Sequence, residues 1–379
     1  MKIFMIGYNL EQGRKEAINK QVFNISKNLV LEGNEVSIIS ISNHEEITKK
    51  EGVVFYSFKG LKSIFKIKKF IEKERPDIIH DHFGLLGSSF LTLFLTKNFG
   101  CKKIKTIYAT QFKIKDILKA SYYLLFNDFF YEIFPRFFLD NKFVRILIFK
   151  SFQKLVFINN LQKLNEGKHQ DSIYIPPFIS LPKENKDKER LKKKLKIGRN
   201  DKIILYLGHA SRKKGIFQIA NCLKLFKEED NIKFLFAFSG MGSEEKKFIK
   251  KYKKHKKQIR FSNKDNISDI YSISDVFILP LLFPWGATTT PLTILESLKS
   301  KTPVITTKNK YLKNIIQECN NGIILVNLSS KKLKESILFF LNRENNKLIT
   351  WNSSKDKIRE SKEEKIAKLY LNIYKQVLV

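Results

Sequence analysis

The sequence predicts an α/β protein with two parallel sheets, one in each half of the chain. Three observations carry this. The amino end opens as strand, helix, strand: Lys2–Ile6 is apolar, a helix stops near Leu31-Glu32-Gly33, and Glu35–Ile41 is the next strand. Such a unit favours parallel pairing. The alternation is interrupted at Lys183–Asn200, a charged stretch after the Pro176-Pro177 break, and starts again at Ile203–Leu207. A chain of 379 residues also has the length for about two domains.

The remaining elements follow in order. Leu61–Glu74 has helical spacing of Ile64, Phe65, Ile67, Phe70 and Ile71, and Pro76–His82 reads as a buried strand. Lys105–Ala109, Lys154–Ile158 and Ser172–Ile175 complete the strands of the first half. In the second half, the loop GHASRKKG leads from Ile203–Leu207 into a helix at Ile216. Then come the strand Lys233–Phe238, the turn SGMGSEE with its helix, a short strand at Ile259–Phe261 and a short helix at Ile267–Ile273. The strands Val276–Leu279, PVITT and Gly322–Val326 alternate with helices at Pro291, Lys310 and Lys331, and Ile358–Val377 is a last amphipathic helix.

Ile278–Lys299 organises the rest of the chain, beginning in the apolar strand Val276–Leu279. Its strand closes at Pro280, a loop follows with Gly286 and the threonines 288–290, and Pro291 opens a helix that carries Glu296. Thr290 is expected to cap that helix, with proline at its first position. Free amides at such a helix start, beyond the carboxyl end of a parallel strand, attract anions. A glutamate one turn further in can accept hydrogen bonds from a diol. A sugar nucleotide satisfies all of these features; a surface loop with a solvated glutamate is the alternative.

Lys and Arg number 71 against 37 Asp and Glu, a net charge of +34. This excess points to an anionic partner: membrane surface, nucleic acid or phosphorylated substrate. Crowding with Lys, Ile, Asn and Phe also fits the drift of an AT-rich coding sequence. Cys101, Cys222 and Cys319 have no metal-ligand spacing, and a reducing cytoplasm is the simplest setting. No signal peptide precedes the first strand. The longest uncharged run, Val276–Leu295, contains three prolines and reads as buried strand, loop and helix, not a membrane span. His80 and His82 share one strand face, with no third metal ligand near in sequence. From Lys113 to Lys154 aromatic residues interleave with cations, a pattern that suits either a helical core or docking on anionic lipid. No RNP, helix-turn-helix or zinc pattern supports nucleic-acid binding.

The ordered motifs PDIIHDHFG, SIYIPPFI, ILYLGHASRKKG, FAFSGMGSEE, ISDIYSISDVFILP, PLTILESLKSKTPVITT and NNGIILV resemble the retaining glycosyltransferases of family 4 (glycosyl transferases group 1). The resemblance covers nearly the whole chain. It implies the GT-B fold: two Rossmann-like domains facing across a cleft, 1–182 on the acceptor side and 183–358 binding nucleotide sugar, with a helix at 359–379 returning to the first domain. Carried over by position, Lys214 and His209 meet the donor diphosphate, Glu296 the ribose hydroxyls, Gly240 and Gly242 the nucleotide, and Gly13 the donor phosphate and sugar. Two positions depart from the pattern. Thr288 stands where the family has a second glutamate, which leaves Thr288, Thr289 and Thr290 to bind sugar and phosphate. Gln111 stands nearest to a family histidine. The implied activity is transfer of a sugar, with retention, to a hydroxyl of a lipid-linked or polysaccharide acceptor in cell-envelope glycan synthesis. A nucleoside diphosphate sugar is the donor, with no metal and no cofactor, and the setting is cytoplasmic, at the inner face of the membrane. The two departures motivate a second reading, a catalytically weak sugar-nucleotide or membrane-binding protein.

Overall fold

The structure is a computed structural model. It describes residues 1–13, 16–108, 138–167, 171–179, 181, 188–227, 231–238, 243–252, 255, 259–262, 267–282, 289–309, 311–313, 316, 322–325, 328–342 and 363–379. The chain forms two compact units, Met1–Phe178 with Ser361–Val379, and Ile179–Glu360.

Unit 1 is built on β1 (Lys2–Tyr8), β2 (Glu35–Ser42), β3 (Glu46–Lys50), β4 (Val53–Lys59), β5 (Ile78–Asp81), β6 (Lys102–Ile107), β7 (Lys154–Phe157) and β8 (Ser172–Tyr174). They form one sheet in the order β3-β4-β2-β1-β5-β6-β7-β8, parallel except for the β3–β4 pair. The sequence reading missed the β3–β4 hairpin; β3 is an exposed edge rich in charge, without the apolar run that marks the other strands. The helices are α1 (Ala17–Leu31), α2 (Ile64–Glu74), α3 (Phe90–Leu95), α4 (Lys142–Lys150) and α5 (Asn160–Glu166). Alternate residues of each strand supply the two faces of the sheet. Ile3, Met5, Val36 and Ile78 pack with α1, whereas Phe4, Ile6, Ile39 and Ile79 pack with α2 and α3. Ile107, Leu155 and Phe157 extend the second face under α4.

Unit 2 runs through α6 (Lys188–Lys194), β9 (Lys202–Gly208), α7 (Ile216–Leu223), β10 (Ile232–Phe238), α8 (Ser243–Tyr252), β11 (Ile259–Ser262), α9 (Ile267–Ser272), β12 (Val276–Leu279), α10 (Leu292–Lys299), β13 (Val304–Thr307), β14 (Gly322–Leu325) and α11 (Ser330–Leu341). Its sheet is parallel throughout, in the order β11-β10-β9-β12-β13-β14. The central strands are apolar on both faces, as sheets covered on both sides require. The chain then returns to unit 1 as α12 (Glu363–Leu378), whose Ile366, Ala367, Tyr370, Ile373 and Tyr374 join the core beneath α1. The family resemblance implies the return of this helix to the first domain.

Candidate functional site

In unit 2 the chain lays down β9, β10 and β11 to one side and then crosses back to place β12, β13 and β14 on the other. The reversal lies between β9 and β12. Ligands of open parallel sheets bind beyond the carboxyl ends of the strands at such a point.

Two connections meet there. After β9 comes Gly208, then a 3-10 turn over Arg212–Lys214, then Gly215 and α7. Gly215 has φ +67°, a left-handed conformation that glycine adopts without strain. A methyl group at this position would also collide with the Pro280 carbonyl oxygen and lie 2.6 Å from Pro280 Cγ. The Leu282 amide donates to the Lys213 carbonyl at 2.8 Å, so the turn after β9 is clamped to the segment after β12. That segment is fixed from its other side, where Thr306 Oγ1 donates to the Leu279 carbonyl at 2.7 Å and Thr307 Oγ1 to that of Leu281. Within the turn, Tyr206 Oη donates to the His209 carbonyl at 2.6 Å. Lys214 folds back over the strand end, its Nζ 3.5 Å from the point a Cβ would occupy at Gly208. The sequence-predicted diphosphate lysine therefore stands at the carboxyl end of the central strand.

Thr289 and Thr290 are buried and lead into α10. The predicted cap is corrected here. Pro291, extended at φ −61° and ψ 121°, is itself the residue before the helix, and no side chain caps it. Its carbonyl accepts from the Ile294 amide at 3.1 Å, so the helix starts one residue later than the sequence pattern implies. Glu296 lies on the inner side of α10, only 2% exposed. Tyr271 Oη is 2.8 Å from the Thr293 carbonyl and 3.4 Å from Glu296 Oε2. Burial, and then the carboxylate beside it, hold the Tyr271 phenol well above its ordinary range, so it remains a donor. No motif singled out Tyr271; only its position in the YSISDVFILP run carried any signal.

The sheet order thus places Lys214 and the Glu296 helix after adjacent strands. Gly13 belongs to unit 1, in the turn after β1 at φ +77°, with open space where a side chain would begin. Gly240, Gly242, Thr288 and Gln111 lie outside the described residues.

Unit 1 holds a second polar cluster at the carboxyl ends of β5 and β6. Lys105 Nζ donates to Asp81 Oδ1 at 2.6 Å and to the Phe83 carbonyl at 2.7 Å, while Thr92 Oγ1 donates to Asp81 Oδ2 at 2.6 Å. Burial lowers the Lys105 pKa, and the Asp81 charge opposes that shift. His80 places one ring nitrogen 2.6 Å from Tyr374 Oη and the other 2.7 Å from Thr106 Oγ1, and His82 Nδ1 is 2.7 Å from Tyr108 Oη. With both nitrogens of His80 engaged by hydroxyls, these histidines are parts of a core network. Among the described residues no group of three or more His, Cys, Asp or Glu could hold a metal ion.

Comparison with known proteins places this geometry. Sucrose-phosphate synthase from Thermosynechococcus elongatus superposes with a TM-score of 0.72 at 14% identity, covering 100% of this chain and 99% of that chain. Anabaena HepE, solved in complex with UDP and glucose, gives 0.63 at 12% identity over 100% and 98%. WaaG, a glycosyltransferase involved in lipopolysaccharide biosynthesis, gives 0.61 at 15% identity over 98% and 95%. The protein has the GT-B type of glycosyltransferase fold. Residues 187–362, which take in unit 2 from α6 onward, match the family model for glycosyl transferases group 1, and this part of the chain is a domain of that kind. No curated protein sequence matches the chain. No described helix is long and apolar enough to cross a membrane.

Proposed function

We propose that the protein is a retaining glycosyltransferase that moves a sugar from a nucleoside diphosphate sugar to a hydroxyl of a lipid-linked or polysaccharide acceptor. The observation that carries this is the clamped turn at the β9–β12 reversal, with Lys214 over Gly208 and Glu296 on the helix after the neighbouring strand. Breaking the glycosidic bond leaves negative charge on the departing diphosphate. Lys214, His209 and the amides at the start of α7 stabilise that charge, the kind of interaction that grows as the bond breaks. Cationic side chains in this role make a metal unnecessary. Glu296 accepts hydrogen bonds from the ribose hydroxyls, and Thr289 and Thr290 present amides and hydroxyls to sugar and phosphate. Gly240, Gly242 and Thr288 complete the donor contacts in this reading. Unit 1 receives the acceptor, and the enzyme works from the cytoplasmic face of a membrane. The likeness in fold to HepE, solved with UDP and glucose, and to WaaG, a glycosyltransferase involved in lipopolysaccharide biosynthesis, supports this reading.

A screen of UDP-, GDP- and other nucleotide sugars by thermal shift tests the donor site. A ligand at a hundred times its Kd adds about 2.7 kcal/mol of stability, an upward shift of several degrees. The shift should shrink by half or more in Glu296→Ala, and Lys214→Ala should lose turnover while keeping its own melting temperature. No shift with any donor sinks the proposal. Binding without transfer or hydrolysis of any donor favours the sugar-nucleotide-binding reading instead.

A further inference from the structure

The two helical layers of unit 1 meet solvent differently. On the face covered by α2, α3 and α4, the outward sides of all three helices point away from the same sheet face. α4 is apolar on both sides: Ile148 and Phe149 are buried in the core, and further apolar residues face outward. Its Arg145 is turned inward, to Asp140 at 2.9 Å and Glu166 at 2.5 Å, while Phe143, Ile146 and Leu147 are 81%, 44% and 54% exposed. Lys142 and Lys150 flank this apolar strip and are exposed as well. α2 repeats the pattern with Phe65, 69% exposed between the exposed Lys62, Lys66 and Lys69. Phe94 of α3 meets Phe65 edge-on, ring centroids 6.1 Å apart, with Lys68 Nζ 5.2 Å over its ring.

Folding of unit 1 accounts for the buried Ile148 and Phe149 on the inner side of α4, but not for the aromatic and aliphatic residues on its outer side. Aligned apolar side chains rimmed by cations mark an interaction surface. Charge selects the occupant. A second copy of the chain would bring one set of lysines against another, whereas an anionic bilayer offers an apolar interior at ring depth and phosphates at lysine height. We propose that the outward face of α2, α3 and α4 docks unit 1 on an anionic lipid surface, with α4 lying in the headgroup region. This deepens the membrane-side part of the function proposed above. It does not depend on the donor site, which lies in unit 2.

The test is sedimentation of the full chain with vesicles, either pure phosphatidylcholine or phosphatidylcholine mixed with an equal part of phosphatidylglycerol. The wild-type protein should sediment with the mixed vesicles at low salt and be released at high salt. The double substitution Phe143→Glu, Leu147→Glu should lower vesicle partitioning by about tenfold or more. Phe65→Glu should lower it on its own, and Leu31→Glu, on α1 in the opposite layer, should leave it unchanged. These side chains are exposed, so each variant should keep its circular dichroism and its donor-induced thermal shift; loss of the donor shift alone would report on unit 2, not on docking. Indifference of the wild-type protein to the anionic lipid overturns the proposal. So does unchanged binding by both variants, or a dimer in light scattering that the α4 substitutions disperse.

Discussion

A methyl group at Gly215 would strike Pro280, and the left-handed backbone there penalises any side chain. Gly215→Ala should therefore cost about 1–3 kcal/mol in urea unfolding of unit 2, and donor affinity should fall with it because the clamp orients Lys214. Glu296→Ala should weaken donor binding by roughly 1.5–3 kcal/mol, the scale of hydrogen bonds to a charged group, measured by titration calorimetry. His80 supplies a prediction in pH. Burial, and then the nearby Lys105 charge, lower its pKa from 6.5 to about 3. His82 is lowered well below 6.5 mainly by burial. The unfolded chain takes up these protons near pH 6.5 and the folded one does not. Stability is thus full above that pH and declines below it, by about 1.4 kcal/mol per pH unit for each histidine. Urea midpoints recorded from pH 7 down to pH 5 should show the decline, and His80→Asn should remove about half of it. A flat profile in the wild-type protein would mean that the rings are not held neutral.

At the scale of elements, α12 closes the sheet face that it shares with α1. Tyr374→Phe leaves a buried nitrogen of His80 without its hydroxyl partner, and should cost about 1–3 kcal/mol in the unfolding of unit 1. Removing residues 363–378 should expose that face to protease while the unit 2 domain stays resistant. The elements legible in the sequence were those with long apolar runs or strong helical spacing: β1, β2, β9, β10, β12, α2 and α12. The turn after β9 stood out in the sequence only because its lysine-glycine pair matches the family pattern. Three features were not legible, each for a physical reason. β3 is short and charged, and only its partner β4 makes it a strand. Arg145 reads as an outward charge until Asp140 and Glu166 are brought to it by the fold. The Tyr271 hydroxyl reaches α10 across 22 residues of sequence, a distance that no local pattern spans.

At the scale of the whole molecule, each unit has its own apolar core. Scanning calorimetry should accordingly depart from a single cooperative step, with a calorimetric enthalpy above the van't Hoff value, and donor should move the part of the trace that belongs to unit 2. Coincident enthalpies would mean that the two units unfold as one. The connectivity has a further effect on biosynthesis. Because α12 follows the whole of unit 2 in the chain, a ribosome releases nearly all of the polypeptide before the sheet of unit 1 receives its last covering helix. A nascent chain therefore carries an open greasy face through most of its translation, and chaperones that recognise such faces gain a long interval in which to hold it.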